Sequence, residues 1–303
     1  MAYDLLPGSA EHQVDPVSRI EGHLGIKVSV DATGGIIDAN AHGNLWRGFE
    51  NFLLGRAAND AITFVQRICG VCPVPHGQTS TYAVDAVLGY SRNHITFAYD
   101  GTYGVPKKAV HIRNLVSGCD TMMSTITHFY HLAAPSYVQG PAIPPWTPWF
   151  ANSLYNAALL NPGGNTALPR TMPANGFPVA AWDAVILSYV KALRVRRLAF
   201  EAGALFAGRM PMTSCFIGGG VTDSGTENLT AKCNKFKQIM QEVGAFVVQE
   251  YVPIALALGA LYTPWDNGNN GGSGYGAGLG RFLAWGAYPD GDATRPVWTD
   301  HFH

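Results

Sequence analysis

At 303 residues the chain is long enough to bury a sizeable core, as one large domain or two interleaved ones. Its formal net charge of −1 gives no field that would draw it to nucleic acid or to an anionic membrane surface. Charged residues make up only 14% of the chain, against about 25% in an ordinary soluble domain. Much of the surface is therefore expected to be covered by a partner, the alternative being a large core beneath a Gly- and Pro-rich surface.

The first residues show no basic segment followed by an apolar run, and the longest apolar run, residues 254–262, falls far short of the roughly 20 needed to span a bilayer. Export is expected to ride on another subunit. Five cysteines at irregular spacing do not make a disulfide framework.

Residues 15–42 read as strand, turn and strand. Leu24, Ile26, Val28 and Val30 alternate with Gly25, Lys27 and Ser29, the period-two pattern of a half-buried strand. Asp31-Ala-Thr-Gly-Gly35 is a turn cluster, and residues 36–42 return. Ahead of this hairpin, Asp15-Pro-Val-Ser-Arg-Ile-Glu-Gly-His23 sets Glu21 and His23 on either side of Gly22, a glycine that permits close backbone approach. On spacing alone, Glu21 is a surface carboxylate paired with Arg19. Trp46-Arg-Gly-Phe-Glu50 follows, and residues 51–58 are expected to form a short helix.

The run Arg67-Ile-Cys-Gly-Val-Cys-Pro-Val-Pro-His76 holds two of the five cysteines in a C-x-x-C spacing. Gly70 is expected to turn the chain so that both sulfurs face one point, and Pro73 and Pro75 to hold off a helix until His76. Two converging thiolates suit a soft or borderline metal such as nickel, zinc or iron. Arg67 would favour their charged form. The spacing also admits a redox dithiol or two buried cysteines. Zinc needs two more ligands. His76 is a candidate third, but no second C-x-x-C or H-x-x-x-H follows. The local reading is a half-built metal site.

Residues 77–88 form the next expected helix, with Tyr82, Val84, Val87 and Leu88 as its apolar members. Pro106 opens a long helix, along which Ile112, Leu115, Val116, Cys119, Met122, Met123, Ile126, Phe129 and Tyr130 recur at three- and four-residue steps until Pro135. Cys119 reads as core packing, and His128 and His131 as core hydrogen-bonding groups or supports behind a site. Residues 135–178 carry nine of the 19 prolines with Trp146 and Trp149, an ordered loop on a surface. Helical period returns over residues 182–206 (Val185, Ile186, Tyr189, Leu193, Leu198), with Arg194, Arg196 and Arg197 a solvated or ion-paired face. A turn-rich stretch at 208–223 precedes an amphipathic helix over 229–251, with Cys233, Phe236, Ile239, Met240, Val243, Phe246 and Val247 inward. The glycine-rich run 268–280 has no leading strand and no phosphate-loop lysine, and reads as a loop.

Taken together, the motifs at 15–23, 46–50 and 67–76, with His128-Phe-Tyr-His-Leu132, resemble the large subunit of nickel–iron uptake hydrogenases over essentially the whole chain. The resemblance implies an α/β (α+β), predominantly helical fold, a long-helix bundle with an N-terminal β-hairpin or small sheet. It divides the chain into a hairpin and magnesium-site region (1–66), a nickel-binding motif with core helices (67–134), the Pro-rich excursion (135–178), and helices with a Gly-rich loop (179–303). It makes Cys69 a terminal nickel ligand and Cys72 a bridge between nickel and an iron carrying CO and cyanide. His76 and Arg67 would stand behind those sulfurs, Glu21 would be the proton relay, and Glu50 would bind a structural magnesium.

The family ends in a second Cys-x-x-Cys far beyond the first, and its large subunits are nearly twice as long. This chain therefore reads as the N-terminal half, either a split subunit or a truncated record. The implied partners are an iron–sulfur small subunit, a polypeptide or segment carrying the second pair, and H2. The implied location is the periplasmic side, membrane-associated through partners, with the cytoplasm as alternative. Rival readings are a hydrogen-sensing subunit of the same family, a scaffold that binds no nickel, and a zinc-binding module.

Overall fold

The computed structural model describes residues 10–17, 20–90, 104–134, 179–261 and 288. The Pro-rich stretch 135–178, the Gly-rich run 268–280 and Arg19 lie outside the described residues. The chain divides into two compact units, Met1–Gly55 and Arg56–His303.

In the first unit, β1 (Ala10–Val14), β2 (Leu24–Val30) and β3 (Ile36–Gly43) form an antiparallel sheet in that order. Alternation in the sequence announces β2, and the turn cluster after it announces β3. Strand β1 is exposed throughout, so no apolar period marks it; it is held by its ladder to β2 and by a 3.4 Å ion pair between Lys27 and Glu11. The Asp31 carboxylate builds the β2–β3 turn by accepting the N–H groups of Thr33 and Gly35, each at 2.8 Å. The helix expected over 51–58 is instead two pieces, α1 (Phe49–Phe52) and α2 (Ala58–Phe64). Between them Gly55 takes a φ of +76°, which no right-handed helix accommodates.

In the second unit, α2 runs through a 3-10 turn, Val65–Arg67, into the cysteine loop and α3 (Pro73–Val87). Helix α4 (Lys107–Thr127) continues through a π-helical segment, His128–Ala133. After α5 (Val179–Ala207) comes a tight hairpin, β4 (Phe216–Ile217) with β5 (Gly220–Val221), inside the stretch read as turns. A short α6 (Asp223–Thr226) leads to α7 (Leu229–Phe246), which passes through a second π-helical segment, Val247–Tyr251, into α8 (Val252–Leu261). Among the described residues no helix is long and apolar enough to cross a membrane.

Helix α4 is shared by two cores. Its Cys119 and Ile126, with Tyr130 of the π-helical segment that continues it, meet Val195, Leu198 and Ala202 of α5 and Ile239, Val243 and Phe246 of α7. Its Ile112 and Val116 join Ile62 of α2, Val74 and Val84 of α3, and Phe206 of α5. A β-carbon at Gly203 would stand 3.1 Å from Cys119 Cβ, so this glycine lets α4 and α5 close on one another. Cys119 is core packing, as its place in the apolar period indicates.

Some expected inward positions are not inward. On α3 the buried stripe is Val74, Gln78, Thr81, Val84 and Asp85; Val87 falls on the opposite side and Leu88 ends the helix, leaving them 80% and 52% exposed. Leu193 is exposed because it lines an open groove beside Arg196, Phe200 and Met210. Cys233 is exposed, on the flank of the α7 stripe that Ile239, Val243 and Phe246 define. Two of the three arginines of α5 are ion-paired, Arg194 with Glu242 at 2.7 Å and Arg197 with Glu201. His131 Nε2 lies 3.3 Å from the Tyr189 carbonyl and its ring packs edgewise on Tyr189, a core hydrogen-bonding role; His128 is exposed.

The feature that the sequence reading lacked is a buried ion pair. Arg113 of α4 meets Asp85 of α3 at 2.6 Å with both side chains almost fully enclosed. Arg113 also donates from Nε to the Gly220 carbonyl at 3.1 Å, and from a terminal nitrogen to the carbonyls of Ile217 and Gly220, each at 2.8 Å. The Asp85 carboxylate accepts the Gly219 N–H at 2.6 Å. One network thus ties α3, α4 and the β4–β5 hairpin.

Two outcomes follow from these burials. Asp85→Ala leaves a guanidinium enclosed without its counter-charge, and denaturant unfolding is expected to show a loss of about 3–5 kcal/mol; a loss within 1 kcal/mol of zero, on the order of a surface pair, would contradict the network's role. In native protein a thiol reagent is expected to modify exposed Cys233 first, half-buried Cys69 and Cys72 more slowly, and buried Cys119 and Cys215 only after unfolding. Peptide mapping by mass spectrometry reads that order.

Candidate metal centre

The two cysteines lie immediately ahead of α3. Pro73 and Pro75 do not delay the helix: it begins at Pro73, with Cys72 as its cap residue. The first N–H groups of a helix have no acceptor within it, so prolines in the first turn remove no hydrogen bond. Gly70 is also not needed for its conformational freedom. It has no positive φ, and a side chain there would meet nothing within 4 Å.

What shapes the loop is Cys69 itself, whose Sγ accepts the N–H groups of Val71 at 3.4 Å and Cys72 at 3.2 Å. Both cysteines are half-buried. His76, also half-buried, stands four residues after Cys72 and so on the same side of the helix. Arg67 donates to the Thr63 carbonyl.

The loop is clamped from behind. Gln66 is buried and donates to the Ile62 carbonyl at 3.0 Å. A β-carbon at Gly77 would come within 2.9 Å of Gln66 Cγ, so glycine lets the first turns of α3 lie flush on the incoming helical turn. The cysteine loop is therefore strung between two packed points. Neither residue was singled out in the sequence, although a glycine inside a helical period, where it costs up to about 1 kcal/mol relative to alanine, is a signal that could have found the close approach.

The carboxylates Glu21 and Glu50 belong to the first unit, and the cysteines to the second. The loop at 15–23 is closed by a Val17 N–H to Leu24 carbonyl bond of 2.8 Å, by Asn44 N–H to the His23 carbonyl at 3.0 Å, and by Asn44 Nδ2 donating to Asp15. Glu21 and His23 are exposed on it. Gly22 is needed there for its φ of +106°, not for close approach, because a β-carbon would meet nothing within 4 Å. In the second motif, Gly48 takes a φ of +73° and heads α1. The Trp46 indole N–H donates to Glu50 Oε1, and that bond, followed by one from the backbone, holds the Glu50 carboxyl below its ordinary range.

These donors divide by hardness. Two half-buried thiols suit nickel or iron, and an exposed, readily ionised carboxylate suits magnesium. Among the described residues no three His, Cys, Asp or Glu side chains gather to hold a metal ion. The cysteines thus offer two soft donors, and Glu50 one hard donor.

A family model described as nickel-dependent hydrogenase matches residues 47–157 and 178–301, and one described as HoxL-like matches residues 13–42. The chain is 34% identical over 285 residues to the periplasmic NiFeSe hydrogenase large subunit of Desulfomicrobium baculatum, a match covering 94% of this chain and 48% of the relative. It is 30% identical over 310 residues to the uptake hydrogenase large subunit of Bradyrhizobium diazoefficiens, covering 91% and 48%. Among solved structures it resembles the Ni-Fe-Se hydrogenase from D. vulgaris Hildenborough, with a TM-score of 0.64 at 34% identity, over 86% of this chain and 46% of that one. The chain spans about half the length of the curated relatives it matches. A mostly helical fold with a small N-terminal antiparallel sheet, a cysteine pair at the head of a core helix, and the family match over most of the sequence agree: the chain belongs to the nickel-dependent hydrogenase family.

Proposed function

We propose that this chain supplies one of the two cysteine pairs holding the nickel–iron centre of a hydrogenase that cleaves H2 reversibly into protons and electrons. The observation that carries the reading is the placing of Cys69 and Cys72 at the clamped start of α3, in a chain of a nickel-dependent family. Cys69 would help hold the nickel, and Cys72 the nickel and the iron, whose further ligands would be CO and cyanide. A second Cys-x-x-Cys, which these 303 residues do not contain, would come from the remaining half of the large subunit. Glu50 would be one ligand of a structural magnesium. When bound, the metal pair supplies the polarising site at which H2 is split and its electrons are withdrawn.

The protons are the business of the protein's own side chains. A thiolate Sγ beside the reacting bond takes up the proton of heterolysis. The Glu21 carboxylate accepts it in turn and, standing on an exposed loop, releases it to water. His76, on the same side of α3 as Cys72, hydrogen-bonds toward the bridging sulfur and steadies its charge. Arg67, just before the cysteines, donates to the Thr63 carbonyl and would steady the approach to the loop. Electrons leave through the iron–sulfur clusters of a small subunit. The periplasmic side of the membrane, with attachment through partners, is the proposed location, in keeping with the name of the D. baculatum relative.

In the assembled enzyme, Glu21→Gln is expected to slow H2/D2 exchange by about 10²–10⁴-fold, the range of a lost general acid–base group, while nickel content by elemental analysis stays at the wild-type level. Full exchange in that variant would remove Glu21 from the relay. Cys72→Ser is expected to abolish nickel retention, and nickel retained at wild-type stoichiometry would contradict the ligand assignment.

A further inference from the structure

Buried polar side chains recur along both α3 (Gln78, Thr81 and Asp85) and α4 (Arg113, Ser117 and Asp120). Arg113 bonds Asp85, and one turn further along α4 the Ser117 hydroxyl donates to Gln78. The two bonds run antiparallel: one turn along α4, from Arg113 to Ser117, the partner on α3 moves from Asp85 to Gln78, toward the cysteine end. Val74, two residues from Cys72, already shares a buried cluster with Ile112 and Val116. Asp120 is the next polar residue of α4 in that direction. It is 3% exposed, and its Oδ1 is enclosed with no hydrogen-bond partner. Beside it the Thr121 hydroxyl bonds the Tyr288 hydroxyl, which donates to the Ser117 carbonyl at 3.2 Å.

A carboxyl in such a place favours its neutral form, because burial penalises the charge and no cation among the described residues offsets it; the Asp120 carboxyl is pushed up to about 7. The ionisable groups around it do not reverse this. Cys119 on its own helix and Tyr288 both feel its charge as repulsion. On α3, Asp85 is committed to Arg113, and Tyr82 is bonded by Gln78. On α5, the Arg196 guanidinium is turned toward Met123 Sδ, at 3.9 Å.

We propose that Asp120 is a second proton-holding carboxyl of this chain, taking up and releasing a proton within the buried polar seam that leads to the cysteine end of α3. Its role rests on the reading of that end as the place where protons are produced. A proton leaving a cysteine Sγ joins the Asp120 carboxylate and gives the neutral acid. Loss of that proton toward solvent restores the carboxylate, with no change in oxidation state. Asp120 complements Glu21, which stands on the exposed loop of the other unit.

The test has two readings. Infrared spectroscopy of the full chain is expected to show a protonated-carboxyl band at pH 6 that is lost by pH 8 and is missing in Asp120→Asn. No titrating band, or one unchanged in the variant, overturns the proposal. In the assembled, nickel-loaded enzyme, Asp120→Asn is expected to keep its nickel but lose the inflection near pH 7 in the pH profile of H2/D2 exchange, and Asp120→Glu to restore an inflection. An active variant with an unaltered profile overturns the relay role. Absence of exchange in the nickel-loaded wild-type assembly overturns the hydrogenase reading, and the relay with it, and is told apart because wild type and variant fail alike.

Discussion

The buried pair of Arg113 and Asp85 is the constraint on which the second unit turns. Taking a guanidinium and a carboxylate out of water costs several kcal/mol per ion, by order of magnitude, unless their hydrogen-bonding capacity is met. Here each end of Arg113 is engaged, by Asp85 on one side and by the Ile217 and Gly220 carbonyls on the other, while Asp85 also receives the Gly219 N–H. The geometry therefore holds only when α3, α4 and the β4–β5 hairpin are all in place. Cys72 caps the far end of α3, so a network remote from the cysteines sets where they stand relative to the long helix. Gln66 against Gly77 fixes the cysteine end of α3 itself. A site made of soft donors on a short loop needs such rigid supports, because the loop alone defines little.

Local periodicity made the long elements legible. The α4 stripe from Ile112 to Tyr130, the Asp31 turn and the alternation of β2 could each be read residue by residue, because burial repeats at the spacing of the element. What escaped was of three physical kinds. Strand β1 is exposed along its length, so pairing rather than patterning makes it. The two-residue β4–β5 hairpin is held by a side chain more than 100 residues away, Arg113, and nothing local announces it. Positions at the ends and flanks of helices, such as Leu88 and Cys233, depend on where neighbouring helices stop. The prolines after Cys72 misled for a different reason: in a first turn the missing N–H is harmless, so Pro73 opens the helix.

The site was legible through its spacing more than through the chemistry of any one residue. A lone Cys-x-x-Cys admits metal binding, redox chemistry or packing. Joined in order to the motifs around Glu21 and Glu50, it points to one family, and the family match over residues 47–157 and 178–301 supports that reading. Asp120 and the polar seam were invisible for want of any local signal. An aspartate after a core cysteine on an amphipathic helix reads as a flank, and only the folded chain encloses it. The donors themselves sort by physical character, soft thiols in one unit and hard carboxylates in the other.

The central claim is that this polypeptide brings one sulfur pair to a centre that needs two. Nickel K-edge X-ray absorption tests it most directly, on the isolated chain and on the chain assembled with the remaining half of the large subunit. The account predicts that the isolated chain retains no stoichiometric nickel, or nickel seen by no more than the two sulfurs of Cys69 and Cys72, and that the assembly shows a full sulfur shell. Nickel held by a complete thiolate shell in the isolated chain, together with unaided hydrogen oxidation, would contradict it.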